Sequence, residues 1–224
     1  MKTFKSTFLP FLAVLLFSVP LLMLQSCDPD DCDDDENDND CDTCMIVYKP
    51  NIYIYPEQEI LLDVQLGFPK GGNVVASIPE YVNGWTVNVT PDGKIDGQYD
   101  YLFYESEQPN VWQTDKGWCI KTEDLDEFFR QNMAGFGFQG REINDFTEYW
   151  IPRLQNSEYY LMYPQTSQII DEVIVLTFSE TPDNIQRLFY LIQEADSAIE
   201  MEAPEISSFS REGFFVAEWG VILK

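Results

Sequence analysis

The chain has 224 residues, with 13 Lys and Arg against 39 Asp and Glu, no histidine, and a formal net charge of −26. Without histidine there can be no Ser-His-Asp or Cys-His catalytic arrangement, no His-ligated metal and no ordinary neutral-pH proton shuttle. So few cations argue against phosphate-backbone binding, which rests on Lys and Arg clusters, and no nucleic-acid partner is expected.

The first element is a leader. Lys2 and Lys5 precede an apolar run from Phe8 to Leu24, the charged and hydrophobic regions of a secretory signal peptide. Pro10, Ser18 and Pro20 interrupt the run. A retained spanning helix, which wants about 20 apolar residues, is therefore the weaker reading. Leu24-Gln25-Ser26-Cys27 follows and resembles the lipobox of bacterial lipoproteins. The resemblance implies that Cys27 is the lipid-attachment residue, that residues 1–26 are cut away as a signal peptide, and that acyl chains such as palmitate tie the chain to a membrane. Each buried methylene of such a chain contributes about 0.8 kcal/mol, so two or three chains anchor stably where one does not.

An acidic spacer comes next, residues 27–44, with ten Asp or Glu and no Lys or Arg between Asp28 and Asp42. Such a segment repels itself, cannot bury apolar area and is expected to stay extended and solvated. Its start, CDPDDCDDDE, resembles the surface-export signal of Bacteroidetes lipoproteins and implies a surface-exposed outer-membrane location. Asp28 directly after the cysteine also resembles the inner-membrane retention signal of enterobacteria, so both destinations stay open. Counts begun at Asp33 or Asp35 lack the Gly at position six and the Glu at position twelve of an EF-hand loop. No metal site and no cofactor are expected.

Residues 45–224 are expected to form one domain, long enough for a single good core. With the leader and spacer set aside, this body keeps a net charge of −18. Cys32, Cys41, Cys44 and Cys119 leave disulfide pairing open in an exported chain. Cys41-Asp-Thr-Cys44 has redox spacing without the βαβ setting, and a lone CxxC without histidine argues against zinc. Cys119, between Trp118 and Ile120, reads as a small buried hydrophobe rather than a nucleophile.

Period-two patterning dominates the body. Leu62, Val64 and Leu66 alternate with Asp63 and Gln65, and Trp85, Val87 and Val89 alternate with Thr86, Asn88 and Thr90 before a Pro91-Asp92-Gly93 turn. Further strands are predicted over 46–55, 73–78, 99–105, 118–121, 159–163, 172–179, 185–193 and 213–219. Two segments carry helical spacing instead. Thr122 is the predicted N-cap of a helix bearing Leu125, Phe128, Phe129 and Met133 on one face, and a second helix from about Arg141 carries Ile143, Phe146, Trp150 and Leu154. Pro152 should end or kink that second helix. Six strands, two helices and four strands predict an α+β fold, a largely antiparallel sheet or sandwich with two helices inserted mid-chain.

Lys49-Pro-Asn-Ile-Tyr-Ile-Tyr-Pro56 resembles the KPVIYLYP signature of a widespread family of uncharacterised bacterial proteins. The resemblance continues through Asn83-Gly84-Trp85, Pro91-Asp92-Gly93, Tyr101-Leu-Phe-Tyr-Glu105, Glu148-Tyr-Trp-Ile-Pro152, Arg211-Glu-Gly-Phe214 and Glu218-Trp-Gly220. Asn51 stands where an apolar residue is usual, Tyr104 where Trp is common, and Val221 in place of a second Gly. The resemblance implies a single fold over nearly the whole body and no particular mechanism.

Glu105, Glu148, Glu212 and Glu218 each lie beside aromatic residues. Such neighbourhoods suit sugars, whose apolar faces stack on rings while carboxylates accept hydroxyl hydrogen bonds. Candidate ligand-binding residues are therefore Glu105, Glu148, Trp150, Arg211, Glu212, Glu218 and Trp219. The competing reading makes Trp85, Trp118, Trp150 and Trp219 core anchors and leaves the Glu residues on exposed edges. Lys49, Arg187 and Arg211, scarce cations in an acidic body, are expected to pair with carboxylates, Arg211 with Glu212 or Glu218. The expected function is a surface-displayed, membrane-anchored binding domain for glycan or another envelope component. A carboxylate-dependent hydrolase such as a glycosidase, with two converging Asp or Glu, and a structural envelope component are the alternatives. Nothing in the sequence commits the chain to catalysis.

Overall fold

Hydrophobic alternation is converted into two sheets in the computed structural model, which describes residues 44–207 and 209–224. The expected signal peptide 1–26, Cys27 as the expected lipid-attachment residue, the expected spacer up to residue 43, and Cys32 and Cys41 lie outside the described residues. The strands are β1 (Cys44–Tyr55), β2 (Ile60–Gly67), β3 (Asn73–Ile78), β4 (Trp85–Val89), β5 (Leu102–Pro109) and β6 (Trp118–Lys121), followed by the helices α1 (Leu125–Gly135) and α2 (Arg141–Trp150). After them come β7 (Tyr159–Thr166), a short α3 (Ser167–Ile170), β8 (Val175–Phe178), β9 (Asn184–Ala195) and β10 (Phe215–Leu223). The fold is α+β. Strand β1 begins at Cys44, one residue before the expected start of the body; Cys44 is disulfide-bonded, whereas Cys119 carries a free thiol and is half-buried.

Seven strands make one sheet in the order β3-β5-β1-β10-β9-β7-β6, and three make a second, β4-β2-β8. Every pairing is antiparallel except β9 with β10, which run parallel. A parallel pair cannot be closed by a hairpin, and the long connection of residues 196–214 carries the chain across. Strand β10 is buried on both faces, as a central strand between two layers must be. Its odd residues Phe215, Ala217, Trp219 and Val221 join α1 and α2 in one core; its even residues Val216 and Ile222 join the three-stranded sheet in the other. The large sheet is thus the middle of three layers.

The two helices form where the period changes. Leu125, Phe129 and Met133 of α1 and Ile143, Phe146 and Trp150 of α2 are buried in the helix-side core. Thr122 is not the predicted N-cap: it opens a single 3₁₀ turn, Thr122–Asp124, and its Oγ1 donates instead to the carbonyls of Ser157 and Glu158. These bonds tie the helix entrance to the residues that lead into β7. Helix α2 stops at Trp150 and runs into a 3₁₀ turn, Ile151–Arg153, around Pro152. Among the described residues no helix is long and apolar enough to cross a membrane.

Candidate functional site

The chain breaks its own ladder at Lys49. Tyr48 pairs with Val221, and pairing resumes only at Asn51 with Trp219; the ladder to β5 is interrupted over the same residues. Lys49 takes φ +52°, a left-handed conformation that a side chain bearing Cβ disfavours. A bulge re-aims a side chain that would otherwise follow the pleat. Here the Lys49 Nζ lies 4.7 Å from the ring centroid of Tyr149 and 5.2 Å from those of Tyr101 and Phe103, and it reaches the Tyr101 hydroxyl at 3.5 Å. Ring faces attract the ammonium. Burial nevertheless lowers the Lys49 pKa, with Asp145 and Glu105 opposing that shift and Arg153 adding to it.

Lys49 lies in the wall of a cleft of about 360 Å³ whose other walls include Tyr99, Tyr101, Phe103 and Tyr149, with Gln98 and Asp100 also lining it. The cleft follows from how little two helices can cover. They pack over β10, β9 and β7, while the helix-side residues Phe103, Glu105 and Glu107 of β5 stay half-buried and their neighbours Leu102, Tyr104, Ser106 and Gln108 on the other face are sealed. Tyr149, near the end of α2, closes one side of this uncovered corner. Asp100 is held by two cations, Lys94 at 2.9 Å and Arg141 at 2.7 Å.

Beside the cleft lies a polar network. Phe103, Asn51 and Trp219 are register partners across three strands, so the row runs from the cleft into the helix-side core. The Tyr53 hydroxyl donates to Asp145 Oδ2 at 2.8 Å and receives a long contact from Asn51 Nδ2 at 3.5 Å. Burial raises the pKa of Tyr53, and the Asp145 charge raises it further. Asp145 itself is raised by burial, with Asp100 and Glu148 adding and the Tyr53 hydrogen bond and Arg141 opposing. Asn51 Oδ1 and Trp219 Nε1 are buried without a hydrogen-bond partner among the described residues.

The residues singled out from the sequence are divided among separate places. Glu105 acts on Lys49 electrostatically, and Glu148 is exposed on α2 near Asp145. Trp150 and Trp219 are core anchors, at 3% and 0% exposure. Glu212 is exposed, and its backbone carbonyl accepts from Asn184 Nδ2. Arg211 pairs with neither Glu212 nor Glu218. It forms a two-pronged ion pair with Glu142 at 2.8 and 2.7 Å, donates to the Gly137 carbonyl, and lies over the rings of Phe215 and Tyr55. A partner 69 residues away could not be read from neighbouring sequence.

Glu218 is the largest departure. Instead of an exposed edge it occupies the space between the two sheets at 0% exposure, where Arg187 Nε donates to one oxygen at 2.5 Å and the Tyr104 hydroxyl to the other at 2.7 Å. Arg187 Nη1 also reaches Asp171 and the Ile174 carbonyl, both just past α3. Burial works against the Arg187 charge, but Glu218 and Tyr104 outweigh it and raise the pKa. Glu105 and Glu218 therefore lie on opposite sides of the large sheet, and the four glutamates share no one concavity. Sequence reasoning passed over Asp100, Asp145 and Tyr149 as ligand groups. The available signal was the shared placement of Lys49, Tyr101, Phe103 and Tyr149 within motifs already quoted together. Among the described residues no group of three or more Cys, Asp or Glu could hold a metal ion.

No protein-family model matches the chain, and comparison with curated proteins and with solved structures finds no match.

Proposed function

We propose that this protein is a bacterial lipoprotein, anchored through Cys27 and displayed at the cell surface on its acidic spacer, whose folded body binds glycan in the cleft beside Lys49. The observation that carries the reading is the wall of Tyr101, Phe103 and Tyr149 around that lysine. Ring faces take the apolar face of a sugar, while Gln98, Asp100 and the lysine exchange hydrogen bonds with its hydroxyls. Three stretches far apart in the chain, 49–56, 101–105 and 148–152, supply that wall, which favours a selected surface over a packing accident. The bulge and the left-handed backbone at Lys49 point the same way, since local strain gathers where a side chain must be aimed. Carboxylate hydrolysis has less support, because Glu218 is committed to Arg187 away from the cleft.

A glycan array probed with the purified full-length protein tests the reading. Binding that weakens about fivefold or more in Phe103→Ala and Tyr149→Ala, in line with ~1 kcal/mol for an aromatic contact beyond its area, supports it. No bound glycan, or binding indifferent to both substitutions, overturns it. The anchor has its own test: intact-mass analysis should find Cys27 acylated, and Cys27→Ser should release the protein from the membrane fraction.

A further inference from the structure

The cations of this acidic body are distributed in an uneven way. Eleven Lys and Arg lie between Cys44 and Lys224. Eight of them, Lys70, Lys94, Lys116, Lys121, Arg130, Arg141, Arg187 and Arg211, form ion pairs with carboxylates among the described residues. With acids in such excess, that is the expected fate of a cation. Lys49, Arg153 and the terminal Lys224 are the remaining three. Two of these three converge on one ring: Lys49 Nζ lies 4.7 Å from the Tyr149 centroid, and Arg153 Cζ lies 3.6 Å from it. Arg153 is fixed there by donating to the Tyr149 carbonyl at 2.6 Å.

The groups around Lys49 explain how its ammonium stays without an ion-pair partner among the described residues. Asp145, the nearest carboxylate in electrostatic effect, is engaged by the Tyr53 hydroxyl. Glu105 acts more weakly, and Asp100 is neutralised by Lys94 and Arg141. The rings of Tyr101, Phe103 and Tyr149 attract the charge without neutralising it. The cleft thus keeps an ammonium without an ion-pair partner among the described residues, set in an aromatic wall, and a lining carboxylate, Asp100, already paired with two other cations, while Arg153 lies on the Tyr149 ring outside the cleft lining.

We infer that the ligand of this cleft is an acidic glycan, with a uronic-acid carboxylate seated against the Lys49 ammonium beside Tyr149. The inference rests on the glycan reading and names its substrate class. A uronic acid carries its carboxylate on the ring carbon that otherwise bears the exocyclic hydroxymethyl group. A sugar stacked face-on against Tyr101 or Phe103 therefore presents that carboxylate at the ring edge, within reach of a cation set into the same wall. A neutral sugar would leave the half-buried ammonium without an anion. Hydrogen bonds to charged groups contribute about 1.5 to 3 kcal/mol, which corresponds to roughly 10- to 150-fold in affinity.

The test uses the purified full-length protein and matched probes: trigalacturonate and its trimethyl ester, trimannuronate and its trimethyl ester, and a neutral galactan trisaccharide. Esterification removes the charge and keeps the ring. The expected result is that at least one acid binds 10-fold or more tightly than its own ester, that the preference shrinks as salt is raised, and that Lys49→Met abolishes it while Lys49→Arg keeps most of it. Arg153→Gln, at an exposed residue outside the cleft lining, should change the preference far less than Lys49→Met does. Equal binding of acid and ester by the unsubstituted protein overturns the acidic-glycan inference and leaves glycan binding standing. Failure of acids, esters and neutral sugar alike overturns the acidic-glycan inference, and a blank glycan array beside it overturns the glycan reading as well.

Discussion

Arg187 and Glu218 are register partners in the parallel ladder of β9 and β10, and their side chains meet at 2.5 Å with no more than 1% of either exposed. The pair closes the space between the two sheets with help from Tyr104 and from Asp171 beyond α3. It holds the fold together and takes no part in the cleft.

Removing one partner of this pair should be severe. Glu218→Gln leaves the Arg187 charge buried with only Asp171 as a counter-ion, and Arg187 Nη2 already lacks a partner among the described residues. A loss of about 3 to 5 kcal/mol is expected in urea unfolding. The double variant Arg187→Met, Glu218→Leu should recover much of that loss, because two apolar side chains need no solvation. A double variant no more stable than Glu218→Gln would show that the pair contributes more than it costs to bury.

Arg211 and Glu142 make a second tie, between the segment entering β10 and the start of α2. Glu142 Oε2 also accepts from the Gln139 backbone N–H at 2.8 Å, so its carboxylate organises the loop ahead of the helix. Arg211→Lys supplies the charge and not the planar fork, and is expected to cost about 1 to 2 kcal/mol; Arg211→Met should cost about 3 kcal/mol. Chemical denaturation and proteolysis near residues 137–142 would measure both.

Asp145 gives a pH-dependent prediction with a definite sign. Its folded pKa is raised, chiefly by burial, so the folded state holds its proton more tightly than the unfolded chain does. Below the ordinary carboxylate value both states are protonated and no penalty exists. As pH climbs through the window from that value to the raised one, folding must bury a charge and stability is lost. Asp145→Asn cannot ionise and can still accept from Tyr53 through its amide oxygen. Its stability relative to the unsubstituted protein should therefore rise across that window and level off above it, in denaturation midpoints followed from pH 3 to pH 8.

Lys49 should make binding fall with rising pH as well, through a different group and at higher pH. Its pKa is lowered by burial, so the ammonium is lost at lower pH than in an exposed lysine. Affinity for an acidic glycan is expected to fall as pH rises through that lowered value. Lys49→Arg, whose guanidinium stays charged, should bind with a nearly flat profile over the same range. Calorimetric titrations between pH 6 and pH 10 would separate the two.

Local pattern carried most of the architecture. Leu62, Val64 and Leu66 alternate with polar residues because one face of β2 is covered, and Phe129, Met133, Phe146 and Trp150 recur at helical spacing because one stripe of each helix is covered. Strand β5 starts later than its sequence indicates, since residues before it turn through Gly97 at φ +66°. Helix α3 escaped notice because four residues are too few to show a period.

Residue order along the chain was enough to determine the class of fold, the positions of its strands and two longer helices, and the excess of acid that makes every cation informative, since each of these depends on neighbours within a few residues. Only the tertiary structure decided that β9 and β10 run parallel, that Glu218 meets Arg187 while Arg211 meets Glu142, and that Lys49 is lifted by a bulge into an aromatic wall. Those outcomes depend on which distant segments share a face, and a charge finds its partner through space, where position in sequence places no constraint.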